Sequence, residues 1–188
     1  MKVFIIRHGE SETNEKGLWT GWLDVALTEK GEADAMLARE VLSGVKFDKI
    51  YSSDLVRAAR TAEIAIPGCE YETTQLLREI DVGTLAGKQY YPIVDSDGRS
   101  IMDTGYSAFG GESVDDLGER VSAFMRVLEN CGYERVAAFS HGGYIKKFLD
   151  TVVGKSLPRQ SVCCNNCTVA IFEYGDSRWK LHSWINLS

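Results

Sequence analysis

Apolar residues in this chain gather in short runs separated by stretches with helical spacing. Lys2-Val3-Phe4-Ile5-Ile6 is an apolar run of strand length, suited to a buried strand. Thr28 can cap a helix running to about Leu42, with Ala33, Met36, Leu37 and Val41 at helical spacing and Gly44 beyond its end. Lys49-Ile50-Tyr51, within Phe47 to Ser52, predicts a second strand. Asp54 is placed to cap a helix whose apolar stripe is Leu55, Ala58, Ala59 and Ala62, closing near Pro67-Gly68. Ser113 begins a third helix, with Val114, Leu117, Val121, Phe124, Met125 and Leu128 on one face and Gly132 as its stop. Asp115 and Asp116 in its first turn suit the helix dipole. Val136 to Phe139 reads as a buried strand, Tyr144 to Val153 as a helix ended by Gly154, and Thr168 to Tyr174 as a strand. Trp179 to Ile185 alternates like an edge strand.

Strands alternating with helices predict an α/β fold, a three-layer α/β/α sandwich around a mostly parallel sheet. No linker, repeat or low-complexity tract divides the chain, so residues 1–188 are expected to form one domain. Ligands of such sheets bind beyond the carboxyl ends of the strands. Three strand ends there carry chemistry: Arg7-His8, then Ser52-Ser53-Asp54 with Arg57 one turn on, then Ser140-His141-Gly142-Gly143. Taken singly, each has an ordinary reading. A histidine after a strand is commonly structural, Arg57 and Arg60 on a helix are commonly solvated, and Glu79 could be an exposed acid.

Composition narrows the function classes. The 188 residues carry 21 basic and 27 acidic side chains, a net charge of −6, and 44% are hydrophobic. That much apolar content can offset chain ordering, which argues against disorder. The acidic balance argues against a nucleic-acid partner. No apolar run approaches membrane-spanning length, and Arg7 interrupts the first run too early for a signal peptide, so a cytoplasmic location and no membrane partner are expected. Five cysteines, an odd number, read as reduced thiols. Cys163-Cys164-Asn165-Asn166-Cys167 invites a zinc reading but lacks a well-separated second ligand pair, so no metal is expected.

The joint pattern is more specific than its parts. Arg7-His8-Gly9-Glu10-Ser11-Glu12-Thr13-Asn14 resembles the signature of the histidine phosphatase superfamily, also called phosphoglycerate mutase-like, with Ser11 where Thr is commoner. Thr20 to Gly31, Ser52 to Ala62, Leu77 to Gly83, Gly110-Gly111-Glu112-Ser113 and Ser140-His141-Gly142-Gly143 are similar to its further blocks, in the family's order. The resemblance spans roughly residues 2–174.

The resemblance implies phosphoryl transfer through His8, with a phosphohistidine intermediate and no metal or organic cofactor. A neutral His8 imidazole can attack phosphorus if an acceptor fixes its other nitrogen. Arg7 and Arg57 supply planar forks for phosphate oxygens. His141 would add a cationic donor when protonated, and Asn14 an uncharged one. Gly21, with Thr20, belongs to a segment that the family places beside phosphate; a turn is the alternative. Gly9 would let backbone approach phosphate closely. Asn166 resembles a family position near the pocket, though an Asx turn explains it equally. Glu79 is the candidate to protonate the leaving alcohol and then activate water. The expected partner is a small phosphorylated substrate.

The implied activity is a phosphomonoesterase. A phosphoglycerate mutase is the first alternative and a phosphate-binding scaffold the second. The compact length favours the phosphatase branch. Residues 81–113 read as a cap-like insertion with two bases, Lys88 and Arg99, and five acids, Asp81, Asp95, Asp97, Asp103 and Glu112, for a net −3. If that segment faces the site, it disfavours a doubly anionic sugar acid, and replacing Asp95, Asp97 and Asp103 by Asn should alter substrate preference. Leu85 and Ala86 stand where the family commonly has an aromatic and an acid. Tyr90, Tyr91, Tyr106 and Phe109 could form a lid or pack as ordinary loop residues.

Overall fold

The computed structural model describes residues 1–155, 157 and 161–187. Strand β1 (Lys2–Arg7) leads through a short helix α1 (Glu12–Glu15) to α2 (Glu29–Leu42) and β2 (Lys49–Ser53). Helix α3 (Val56–Ala65) and β3 (Glu72–Thr74) follow. A loop segment holding α4 (Ile101–Thr104) connects to α5 (Val114–Glu129), β4 (Arg135–Ser140) and α6 (Gly142–Val153). Strands β5 (Val169–Gly175) and β6 (Arg178–Ile185) close the chain.

The six strands lie in the order β3-β2-β4-β1-β5-β6. The pairs β3·β2, β2·β4 and β4·β1 are parallel. β5 runs antiparallel to both β1 and β6, so it alone opposes the other five. The short turn from β5 to β6 makes that reversal possible, since adjacent antiparallel strands need no crossover helix. Alternate β1 residues feed two cores: Val3 and Ile5 join the cluster of α5 and α6, Phe4 and Ile6 that of α2 and α3. The mostly parallel three-layer sandwich is therefore present.

Thr28 caps α2 as its sequence suggests, its side chain accepting from the Gly31 N–H. The face that α2 buries is different from the one expected. Gly31, Asp34, Ala35, Ala38 and Leu42 turn inward, while Met36 is 56% and Leu37 40% exposed. Small residues win because α2 approaches so closely: a Cβ on Gly31 would lie 2.0 Å from the Glu10 carbonyl oxygen. Asp54 does not cap α3. Its carboxylate is taken by Arg78 at 2.6 and 2.7 Å, and the remote Asp24 accepts from the Val56 N–H at 2.7 Å instead. Ala59 in the expected α3 stripe is only half-buried, and Arg57 occupies the inward face with no exposed surface. The three-residue β3 carries no apolar run, so it left no trace in the hydrophobic pattern.

Among the described residues no helix is long and apolar enough to cross a membrane.

Candidate active site

β1 and β4 are neighbours whose chains leave toward opposite faces of the sheet, by α2 and α6. Their carboxyl ends therefore border a crevice. Arg7 pairs with Ser140 in the β1·β4 ladder, and the next residue on each strand is a histidine. The His8 N–H donates to the Ser140 carbonyl at 3.0 Å. The rings of His8 and His141 stand 5.1 Å apart. His8 retains 4% exposure, and His141 and Arg57 none.

The His8 ring is held at both nitrogens. Nδ1 sits 2.6 Å from the Gly9 carbonyl oxygen, which can only accept, so the ring proton lies on Nδ1. Nε2 then keeps its lone pair and accepts from Arg57 Nε at 3.3 Å. The His8 carbonyl accepts from the Cys167 N–H and from Asn166 Nδ2. Burial, Arg57 and Arg7 hold the His8 imidazole well below its ordinary pKa, against the opposing pull of the Gly9 hydrogen bond. The ring is neutral at neutral pH.

Arg57 is aimed by carbonyls. Its Nη1 donates to Leu23 O at 2.7 Å and its Nη2 to Gly21 O at 2.9 Å. Burial lowers its pKa to about 10, which still leaves it cationic at neutral pH. Gly21 thus meets the site through Arg57. Its φ of +51° and its contact with Val82, which a Cβ would approach to 2.7 Å, both require glycine. Arg7 donates through Nη1 to the Cys164 carbonyl, while its buried Nε has no protein partner. Both ring nitrogens of His141 are likewise buried and without protein partners. Burial first, then Arg57, His8, Arg7 and Arg120, push its pKa well below the ordinary value. By itself, therefore, the ring favours its neutral form, and the cationic role expected of it applies only when it is protonated. Among the described residues, the Arg7 Nε–H and the one N–H of a neutral His141 ring are buried donors left without an acceptor, next to the Arg57 guanidinium, and an oxyanion would meet that need.

Glu79, from the loop after β3, lines a cavity beside Arg7; His8, Arg57 and His141 do not line it and lie buried behind Arg7 and Gly142. Its Oε1 accepts from the Ile80 N–H at 2.9 Å and its Oε2 from the Gly143 N–H at 3.0 Å. The cavity measures about 200 Å³. It is lined by Arg7, Glu79 and Ile80, by Gly142, Gly143 and Lys146 of α6, and by Met102, Tyr106 and Cys164. Asn14 lies at one side. Its Oδ1 accepts from the Ser11 N–H and from Asn166 Nδ2, which ties it to the His8 main chain. Ser11 caps α1, accepting from the Asn14 N–H, and so does the work of the commoner threonine. Thr20 bonds Thr13 at 2.6 Å.

Several expectations change here. Gly9 approaches the α2 backbone: a Cβ there would lie 2.1 Å from the Gly31 carbonyl oxygen. Asp95 and Asp97 bind Arg99, and neither they nor Asp103 line the cavity. Lys146, from α6, lines it instead. Of the four candidate lid aromatics only Tyr106 lines it; Tyr90 and Tyr91 are exposed. Leu85, at a departure from the family pattern, is buried core. Cys163 is exposed whereas Cys164 and Cys167 are buried, and no metal-binding group of three His, Cys, Asp or Glu side chains occurs among the described residues. Lys146 and Arg120 carried no signal in the sequence because each is an ordinary residue of an amphipathic helix, and Met102 carried none because its helix is a single turn.

Known proteins share this sequence pattern and fold. A protein of Salmonella paratyphi A named "Probable phosphoglycerate mutase GpmB" is 30% identical over 194 residues, covering 98% of this chain and 90% of its own. The crystal structure of TTHB049 from Thermus thermophilus is 30% identical, with full coverage of both chains and a TM-score of 0.78. A phosphoserine phosphatase from Entamoeba histolytica, solved in complex with 3-phosphoglyceric acid, shares the fold at 24% identity and a TM-score of 0.83, covering 98% of this chain and 96% of its own. The sequence profile of the histidine phosphatase superfamily (branch 1) matches residues 3–187. Fold, strand-end histidines and near full-length match converge: the chain belongs to the histidine phosphatase superfamily, branch 1.

Proposed function

We propose that this protein is a metal-independent phosphomonoesterase that works through a phosphohistidine at His8. One observation carries the reading: the His8 proton is held on Nδ1 by the Gly9 carbonyl, so the Nε2 lone pair faces the Arg57 guanidinium. The lone pair attacks phosphorus and the ester P–O bond breaks. Arg57 Nε gives up its bond to Nε2 and donates to a phosphoryl oxygen instead. Arg7 Nε and His141 donate to the others, and Asn14 stands beside them. A phosphate dianion against His141 favours its protonated form, reversing the effect of burial. Glu79 protonates the leaving alkoxide. Water then attacks the phosphohistidine, Glu79 takes its proton, and the N–P bond breaks to release phosphate.

The small cavity suits a small phosphorylated metabolite over a macromolecule. A mutase is the second reading, favoured by the name of the Salmonella relative. That relative is covered over 90% of its length, so compactness does not separate the two reactions. With Asp95 and Asp97 bound to Arg99, the charge argument against a phosphorylated acid also loses its footing. The test is product analysis across a panel of phosphorylated metabolites that includes phosphoglycerates. Inorganic phosphate release, abolished in His8→Ala, is expected. Isomerised phosphoglycerate without phosphate release would establish the mutase reading. No turnover and no phosphoenzyme across the panel would favour a binding scaffold.

A further inference from the structure

We propose that Arg120, on α5, is the positioning residue for Glu79 and acts with Glu112 as a clamp on the loop that carries it. The inference rests on the acid–base role proposed for Glu79. The Glu79 carboxylate accepts from the N–H of its own neighbour, Ile80, so its place is set largely by the local main chain. That main chain lies in a loop without a strand or helix ladder to fix it, and its carbonyls need other partners.

They converge on one guanidinium. Arg120 Nη1 donates to Leu76 O at 3.1 Å and to Arg78 O at 3.0 Å, and Nη2 donates to Glu79 O at 3.0 Å. The other edge of the fork is held by Glu112: Nε reaches Oε1 at 2.7 Å and Nη2 reaches Oε2 at 2.8 Å. Glu112 Oε2 also accepts from the Asp81 N–H at 2.9 Å, and the Glu112 N–H donates to Asp81 O at 3.0 Å. The loop is thus gripped on both sides of Glu79. Glu112 in turn has a rigid seat: a Cβ on Gly111 would lie 2.3 Å from Asp81 O, so the two backbones are pressed together. Only a planar fork can meet three carbonyls and a bidentate carboxylate at once; a lysine ammonium is a single point.

The test is kcat/KM for Glu79→Gln, Arg120→Met, Arg120→Lys and the Glu79→Gln/Arg120→Met pair. Two substrates are used, an alkyl phosphomonoester with a poor leaving group and p-nitrophenyl phosphate with a good one. Glu79→Gln should lose about 100- to 1,000-fold with the alkyl ester and far less with the aryl ester. Arg120→Met should repeat that selectivity, losing about 10- to 100-fold with the alkyl ester and less than about threefold with the aryl ester. The double variant should be no worse than Glu79→Gln alone, because both changes remove one function. Arg120→Lys keeps the charge beside Glu112 and decides the matter if Arg120→Met does not fold; a selective loss of about fivefold is expected. Equal losses on both esters, no loss, or losses that multiply with Glu79→Gln overturn the clamp. A Glu79→Gln series that is flat across leaving groups overturns the reading of Glu79, and the clamp with it.

Discussion

The two ends of the site are built by different means. At the phosphate end, His8, Arg57 and His141 come from strand ends and the first turn of a helix and are fully or nearly buried, and His8 and Arg57 are oriented by main-chain carbonyls and by each other. At the leaving-group end, Glu79 sits on a loop, half-buried, and its place depends on Arg120, Glu112, Trp22 and Gly143. The first end inherits its geometry from the sheet. The second is assembled from three side chains, those of Arg120, Glu112 and Trp22, and the Gly143 main-chain N–H. The fold therefore fixes the first end, and loop contacts fix the second.

The largest effect should come from the phosphate end. His8→Ala removes the nucleophile, so kcat for every phosphomonoester should fall by about 10,000-fold or more, measured by phosphate release. If His8→Ala retains wild-type turnover, the contrast between the two ends has no chemical meaning. Glu79→Gln comes next, with a loss that grows as the leaving group worsens; wild-type rates with alkyl esters would remove its role. Gly143→Ala probes the contact between the two ends. Its Cβ would lie 2.3 Å from Glu79 Oε1, so the carboxylate must move, and kcat/KM for alkyl esters should fall about tenfold.

Acid should weaken the phosphate end in particular. His8 and His141 are held well below the ordinary value of 6.5, so below that pH the unfolded chain binds protons that the folded one does not. Their contribution to stability is level above about pH 6.5 and is lost as the pH falls toward the folded-state pKa values. The slope is on the order of 1 kcal/mol per pH unit for each histidine. Melting curves between about pH 7.5 and 5.5 should show it, and the His8→Gln/His141→Gln variant should be flatter than wild type. The smallest effect should follow Asp95→Asn/Asp97→Asn. These acids serve Arg99, so relative kcat/KM across substrates should change by less than about twofold. A larger change would mean that the Asp95–Asp97 turn reaches the substrate after all.

The same contrast explains what could be read from the sequence. His8, Arg57 and His141 stand where apolar runs end, and strand ends can be located from hydrophobic pattern alone. The face of α5 was legible too, because it carries one dominant apolar stripe, and α6 was legible as a helix with its Gly154 stop. α2 was not: two stripes compete there, and close approach to the Glu10 backbone selects the smaller side chains over Met36 and Leu37. Asp54 looked like a cap because capping is local; its actual partner, Arg78, is 24 residues away. Arg120 was invisible for the same reason, since its bonds span 41 to 44 residues. Long-range polar contacts leave no periodicity.

The central claim is a covalent phosphoenzyme at His8. Rapid acid-free quenching after mixing with a phosphomonoester, followed by peptide mapping, tests it directly. Phosphate should appear on His8, in a linkage labile to acid and stable to base, and be absent from His8→Ala. Turnover with no phosphorylated His8 at any time, or phosphate on another residue, would contradict it.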